Sequence, residues 1–156
     1  GINMLYGIEA NTTDYNGTLE LEDSLLAGLD YVIASIHKPV LKPGTEAENT
    51  KAYLRAMENP FVSILGHCDD VKYPVDYLAI IKSAMEHQVI LEINNSSLSP
   101  DGYPVLLSSD SHGPEHVGDF RYALELVEQA EFPKELVLNY STNELMSWLE
   151  KRKVAI

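Results

Sequence analysis

The sequence contains very little cysteine and few basic residues. Cys68 is the single cysteine among 156 residues, so the chain holds no internal disulfide, and such sparse cysteine is typical of a reducing cytoplasm. Only 11 lysines and arginines stand against 24 acidic residues, which gives a net charge of −13. Because binding to a nucleic-acid backbone relies on basic side chains, we expect no nucleic-acid partner.

Long apolar runs are also missing. No stretch approaches the roughly 20 apolar residues of a membrane-spanning helix, and residues 1–4 lack the basic and apolar regions of a signal peptide. We therefore expect a cytoplasmic protein without a membrane partner. The chain does not begin with methionine, so we expect further sequence upstream. Its length and its 45% of hydrophobic residues predict one domain with a sizeable core.

Short apolar runs alternate with helix-like segments, which predicts an α/β fold with parallel strands. Strands are predicted over 4–10, 31–36, 61–65, 89–93, 104–107 and 136–138. Helices are predicted from 45 to about 58, from 73 onward, over 119–130, and from 141 onward. Thr45 and Glu48 form the capping box of the first of these helices, and Pro74 is expected in the first turn of the second.

One predicted pair of neighbouring strands has a short connection. Only about ten residues separate strand 89–93 from strand 104–107, whereas a parallel crossover needs a dozen or more and usually contains a helix. Either this pair is antiparallel, or the chain lacks a helical segment between residues 103 and 104. We favour the second alternative.

Four predicted strands run into side chains that can bind a metal ion. These side chains are Glu9, His37, His67 and the pair Asp110 and His112. In α/β barrels the carboxyl ends of the strands meet at the face that carries the chemistry, so we expect these groups to lie close together. Each residue alone has a plainer interpretation, as a solvated acid or a histidine bonded to backbone. The repetition and the mixture of imidazole and carboxylate favour a hydrolytic metal site.

Five segments of the chain resemble the PHP (polymerase and histidinol phosphatase) family. They are GIEAN at 7–11, ASIHKP at 34–39, LGH at 65–67, LEINNSS at 91–97 and SDSH at 109–112. The match keeps the family order over nearly the whole chain and is closest to the bacterial phosphatase branch. The resemblance implies one PHP domain over residues 1–156, built as a distorted, TIM-like (βα)7 barrel that hydrolyses phosphate esters.

The resemblance also implies a role for each candidate ligand. Glu9 matches the glutamate that bridges the first two of three metal ions, and His37 and His67 match the histidines that complete the second. Asp110 resembles the aspartate on the first ion, and His112 the histidine on the third. Glu9, Asp110 and His112 are thereby expected to take part in catalysis. The ions are zinc, manganese or iron, since imidazole and carboxylate suit all three.

Two parts of the family pattern have no match in the chain. The family opens with a strand that carries His-x-His, followed by two further ligand histidines, and we expect these residues upstream of Gly1. The family also has a helical stretch before the strand that begins at Pro104. We therefore expect a partial barrel that lacks its first strands and one internal helical segment, and whose activity depends on the upstream ligands.

The resemblance implies hydrolysis of small phosphate monoesters by a metal-bound hydroxide. A small phosphorylated substrate is the expected partner. Two alternatives stay open: a metal-dependent amidohydrolase, which also places histidines and an aspartate at strand ends, and a metal-binding PHP scaffold without catalysis. The sequence does not indicate the physiological substrate or the oligomeric state.

Overall fold

Five parallel strands form one sheet in a computed structural model, which describes residues 4–93 and 103–154. The strands are β1 (Gly7–Asn11), β2 (Tyr31–Ser35), β3 (Ile64–Leu65), β4 (Ile90–Ile93) and β5 (Val105–Leu107). Their order in the sheet follows the chain, with β1 and β5 at the two ends of the row. The prediction of an α/β fold with a parallel sheet is confirmed.

The last two strands settle one of the alternatives left open by the sequence. Leu91 is in register with Val105 and Ile93 with Leu107, and this pairing is parallel. The antiparallel alternative for strands 89–93 and 104–107 is therefore wrong. The connection between β4 and β5 includes residues 94–102, which lie outside the described residues, as does most of the LEINNSS segment.

Within the described residues, five α-helices accompany the sheet. They are α1 (Asp23–Leu26), α2 (Glu46–Met57), α3 (Tyr77–His87), α4 (Arg121–Gln129) and α5 (Thr142–Val154). The predicted capping box at the start of α2 is confirmed, because Thr45 Oγ1 accepts from the Glu48 N–H at 3.3 Å and Glu48 Oε2 accepts from the Thr45 N–H at 2.8 Å. Among the residues described, none of the helices has the length and apolar character to cross a bilayer.

Two predicted elements differ from the structure. The helix expected to open at Tyr73 and Pro74 begins at Tyr77, because Asp76 caps it by accepting from the Ala79 N–H at 3.1 Å. The expected strand 136–138 is replaced by two short 3-10 turns, Lys134–Leu136 and Leu138–Tyr140. Only Val137 between them is extended, and it forms a single parallel bridge with Val105.

Apolar side chains cover both faces of the sheet. On one face Val32, Ala34 and Leu65 belong to the main buried cluster, which includes side chains from α2 and α3. On the other face Ile64 and Ile90 are packed with side chains from α5. A further cluster joins β5 to α4. Side chains alternate between the two faces of a strand, and both faces are covered by apolar clusters. A charged residue on β1 or β4 therefore either points into an apolar cluster or lies at the edge of the sheet.

Candidate metal centre

Glu9, His37 and His67 bring three ligand atoms together at one edge of the sheet. Glu9 Oε1 lies 3.4 Å from His37 Nε2 and 3.3 Å from His67 Nε2. The two histidine Nε2 atoms are 3.1 Å apart. Among the residues that the structure describes, this trio is the one group of three or more ligand side chains close enough to share an ion. The structure thus brings together three of the five residues expected in the site.

The parallel register explains this convergence. Glu9 on β1 is paired with Ile33 on β2, and Ile33 is paired with Ile64 on β3. His37 follows the end of β2 by two residues and His67 follows the end of β3 by two residues. Because neighbouring parallel strands end at the same edge of a sheet, the two histidines reach the carboxylate from adjacent loops.

His67 adopts a backbone conformation that is uncommon for a residue with a side chain. Its φ angle is +28°, close to the left-handed region. Glu92 Oε2 accepts a hydrogen bond from the His67 backbone N–H at 3.1 Å, and Glu92 is buried on β4. Gly66 precedes His67 and passes closely over Ser35 of β2. Backbone strain of this kind is concentrated at functional sites, where the surroundings enforce it.

His37 is oriented from its other ring nitrogen. His37 Nδ1 lies 2.7 Å from Asn11 Oδ1, which leaves Nε2 directed toward Glu9 and His67. Asn11 is itself bound by Glu20, whose Oε1 accepts from both the backbone N–H and the side-chain amide of Asn11. Metal-binding histidines commonly donate their second ring N–H to an acceptor of this kind.

The charges of the trio reinforce one another. The hydrogen bond from His67 outweighs the effect of burial and lowers the pKa of Glu9 to about 2, with further help from the charge of His37. Burial disfavours the charged form of His67, yet the hydrogen bond to Glu9 and the charge of Glu92 raise its pKa above the ordinary value. Glu9 is therefore ionised over the physiological range, and His67 gives up its proton when it binds a cation.

The spacing of the three ligand atoms fits a divalent cation. Ligands about 2.0–2.1 Å from one zinc ion lie roughly 3.3 Å from one another in a tetrahedron, and roughly 3.0 Å apart in an octahedron. The observed separations of 3.1, 3.3 and 3.4 Å match these values. Two imidazoles and one carboxylate also form the ligand set of known catalytic zinc sites, which keep a further position open.

Asp110 and His112 lie at the end of β5 and are not part of the trio. The backbone of Asp110 is left-handed, with φ +43°, and His112 Nδ1 is 2.9 Å from the Asp110 carbonyl oxygen. The side chain of His112 is 85% exposed. Asp110 also lines a cavity of about 150 Å³ together with Ser108, His116 and Asp119. The roles expected for Asp110 and His112 stay predictions.

Two residues of the site were missed by the sequence reasoning. Glu92 is the single acid in the buried run Val89-Ile90-Leu91-Glu92-Ile93, and a lone charge in such a strand is a signal in itself. Asn11 follows Glu9 by two residues on β1, so the period of a strand places both on one face. Both signals are visible in the sequence, although neither identifies the partner of the residue.

The chain is similar to curated proteins named as probable phosphatases. It is 36% identical to one from Clostridium novyi, a match that covers 97% of this chain and 70% of that protein. It is 36% identical to the probable phosphatase YcdX of Escherichia coli, over 99% of this chain and 71% of YcdX. A probable phosphatase of Citrobacter koseri is 38% identical, with the same coverage. No protein-family model matches the chain. On the strength of these relatives, the chain belongs to the YcdX-like family of probable phosphatases.

Proposed function

We propose that the chain is a metal-dependent phosphatase of the PHP type that hydrolyses small phosphate monoesters. The observation that carries this proposal is the convergence of Glu9 Oε1, His37 Nε2 and His67 Nε2 within 3.1 to 3.4 Å of one another. The relatives named as probable phosphatases supply the reaction class. The ligand set suits zinc, manganese or iron.

The net charge of the chain means that such a substrate needs a local positive centre, which a bound metal cation can supply. A phosphate monoester is an anion, and a chain with a net charge of −13 repels it. A divalent cation supplies Lewis-acid chemistry, which neutralises charge on the phosphoryl oxygens and makes water a stronger nucleophile near neutral pH. Glu9 binds that cation with a full negative charge, because its pKa is lowered to about 2.

The remaining residues of the site act by holding the ligands in place. Asn11 accepts from His37 Nδ1 and so directs His37 Nε2 toward Glu9. Glu92 accepts from the backbone N–H of His67 and fixes the loop after β3. Ligands that are already in position lose little freedom when the cation binds, which strengthens binding and keeps the reacting groups aligned.

We also propose that Asp110 and His112 act at this same edge of the sheet, on further ions or on substrate. Both follow β5, whose carboxyl end lies on the same side of the sheet as those of β2 and β3. In this proposal the five strands are part of a TIM-like barrel within one domain, and the catalytic groups occupy the carboxyl ends of its strands.

The same proposal includes a helical segment that relatives have, and that this chain lacks, at the position between residues 103 and 104. The parallel pairing of β4 and β5 calls for a longer crossover than residues 94–104 provide. In addition, the match with the Clostridium novyi protein extends over 170 positions, more than the 156 residues of this chain. That relative therefore has residues within the matched stretch that have no counterpart here.

Turnover of phosphate monoesters by the metal-loaded, full-length protein tests the proposal. We expect p-nitrophenyl phosphate and simple sugar phosphates to be hydrolysed after loading with zinc, manganese or iron, and amide substrates to be left intact. Glu9→Gln and His67→Ala are expected to lose metal binding and turnover together. His87→Ala is the matched control, because His87 ends α3 just before β4 begins, whereas the trio lies at the edge where the parallel strands end. Unchanged turnover in Glu9→Gln and His67→Ala, or an unreactive wild-type protein with every metal, would contradict the proposal.

A further inference from the structure

Asn11 stands between a carboxylate and a candidate metal ligand. Glu20 Oε1 accepts from Asn11 Nδ2 at 2.8 Å and from the Asn11 backbone N–H at 2.8 Å. On its other side, Asn11 Oδ1 lies 2.7 Å from His37 Nδ1. The three side chains thus form a continuous hydrogen-bonded row that ends at His37.

The chemistry of these groups fixes the direction of every hydrogen bond in the row. An ionised carboxylate only accepts, so the amide nitrogen of Asn11 must face Glu20 and its oxygen must face His37. An amide oxygen also only accepts, so His37 Nδ1 must carry a hydrogen. A neutral imidazole has one N–H, and Nε2 of His37 is therefore left with a free lone pair.

That lone pair is directed at the proposed cation site. His37 Nε2 is the atom that lies 3.4 Å from Glu9 Oε1 and 3.1 Å from His67 Nε2. In free histidine the hydrogen is carried mainly by Nε2, the nitrogen that must be bare here. The row therefore selects the form of His37 that can bind a metal without first moving a proton.

Backbone hydrogen bonds hold Glu20 next to Asn11. The Glu20 N–H donates to the Asn11 carbonyl at 2.9 Å, and Thr12 forms an antiparallel bridge with Leu19. The turn between them is closed by Thr13, whose N–H donates to the Thr18 carbonyl at 2.8 Å. Glu20 and Asn11 are thus tied together through both backbone and side chains.

We propose that Glu20 and Asn11 are positioning residues that set the proton of His37 on Nδ1 and present its Nε2 to the metal ion. This inference rests on the proposed metal site. Asn11→Leu keeps a side chain of similar size and removes the acceptor for Nδ1. Glu20→Leu removes the oxygen that accepts from both Asn11 N–H groups, which lets the Asn11 amide turn over and removes the constraint on its direction.

Nitrogen-15 NMR of the metal-free protein at alkaline pH, with labelled histidine, measures the proton position directly. We expect His37 of the wild type to carry its hydrogen on Nδ1, and both variants to shift it toward Nε2. Zinc affinity, measured by calorimetric titration, is expected to fall by roughly 10- to 100-fold in Asn11→Leu. A variant that affected only folding would change neither the proton position nor the affinity of the folded protein.

Asn59 and Asp23 provide the matched control. Asn59 Nδ2 donates to Asp23 Oδ1 at 2.9 Å, and Asn59 Oδ1 accepts from the Phe61 backbone N–H at 2.9 Å, so the same kind of pair ends on backbone instead of histidine. Asn59→Leu and Asp23→Leu should leave the proton position of His37 and the zinc affinity unchanged.

Two results would overturn the inference: a wild-type His37 that carries its hydrogen on Nε2, or a proton position that is unchanged in both Asn11→Leu and Glu20→Leu. A different result would contradict the proposed function. A wild-type protein with the hydrogen on Nδ1 and bound zinc, but without turnover of any phosphate monoester, would contradict the phosphatase proposal and support the positioning role.

Discussion

Glu92 and His67 are joined by a hydrogen bond from the His67 backbone N–H to Glu92 Oε2, at 3.1 Å. The bond links β4 to the loop after β3 and holds His67 at a φ angle of +28°. Burial raises the pKa of Glu92 above its ordinary value, although the hydrogen bonds from Ser108 and from the His67 backbone oppose this effect. Glu92 is thus a buried acid in an apolar strand, and its hydrogen bond holds the backbone of the candidate ligand His67 in place.

Replacing Glu92 with leucine is expected to weaken metal binding. Leucine cannot accept from the His67 N–H, and a buried donor left unpaired costs about 1–3 kcal/mol. Glu92→Gln keeps an acceptor at the same distance and should retain most of the affinity. Calorimetric titration with zinc gives the affinities, and urea unfolding gives the free energies of unfolding. Glu86→Leu, on the exposed side of α3, serves as control. A Glu92→Leu protein that binds zinc as the wild type does would contradict this role.

Gly66→Ala is expected to displace His67. A Cβ atom at position 66 would collide with Ser35 Oγ and would lie only 2.9 Å from Ile33 Cγ2. Overpacking of this kind typically costs 1–3 kcal/mol, and the adjoining His67 would move with the backbone. We expect both the free energy of unfolding and the zinc affinity to fall, measured by urea unfolding and calorimetric titration.

The contact with Ser35 allows a rescue experiment. The double variant Gly66→Ala with Ser35→Ala removes the oxygen that the new Cβ would meet and should recover part of the lost free energy of unfolding. Gly28→Ala is the control, since a Cβ there meets only the Leu25 carbonyl oxygen at an ordinary 3.6 Å. If Gly66→Ala were as stable as Gly28→Ala and bound zinc normally, close packing at Gly66 would have no part in placing His67.

Local signals in the sequence predicted much of the fold. Thr45 and Glu48 marked the start of α2 because a capping box depends only on residues that are near in sequence. The start of α3 was misplaced, since Asp76 offered a stronger cap than the proline signal at Pro74. The prediction of a strand at 136–138 was wrong. Val137 is buried and forms a single bridge with Val105, and its apolar character reflects this one tertiary contact instead of a strand.

The candidate site was predictable only in its ligands. Glu9, His37 and His67 each stand at or just past a strand, and parallel strands end at one edge, so their meeting follows from the alternation of elements. The support for these ligands could not be found in the same way. Glu92 contacts a residue 25 positions away, and the direction of the Asn11 amide depends on Glu20 across a turn. Such contacts are fixed by register and loop geometry, which local patterns do not specify.

The Glu9–His67 pair should make the stability of the metal-free protein depend on pH. The pKa of Glu9 falls from 4.5 to about 2 in the folded state, so this carboxylate stabilises the fold above pH 4.5 and loses that effect as the pH falls toward 2. The pKa of His67 is raised from 6.5, so its contribution is complete below pH 6.5 and is lost as the pH rises through the raised value. Both contributions are therefore present together between pH 4.5 and 6.5.

His67→Gln is expected to lose the most stability in this pH window and less in alkaline solution. Urea unfolding of both proteins across the pH range, without metal, gives the difference in free energy of unfolding. Because Glu9 is 36% exposed, salt should reduce the difference. Zinc affinity of the wild type should rise with pH as His67 loses its proton. A difference that grew steadily into alkaline solution would contradict the assigned direction of the His67 shift.

Arg152 of α5 is expected to be the strongest single support of the opposite end of the sheet. Its guanidinium group donates to four backbone carbonyls: Nε to Val62 at 2.9 Å, Nη1 to His87 at 2.5 Å, and Nη2 to Asn59 at 3.0 Å and Met57 at 3.3 Å. These carbonyls lie at the ends of α2 and α3 and before β3, where helix termini leave acceptors without partners.

Arg152→Met is therefore expected to lower the free energy of unfolding by about 3 kcal/mol, because several buried carbonyls lose a charged donor at once. Arg152→Lys should recover little, since one ammonium group cannot span the carbonyls that the planar guanidinium reaches. Lys151→Met, at the exposed neighbouring position, is the control and should change stability little. Zinc affinity, measured at a temperature well below that of unfolding, should be unchanged in all three variants, because the trio lies at the carboxyl ends of the strands and Arg152 near their amino ends. A stable Arg152→Met protein would show that the helix ends find water or other donors instead, and a loss of zinc affinity would show that the two ends of the sheet are coupled.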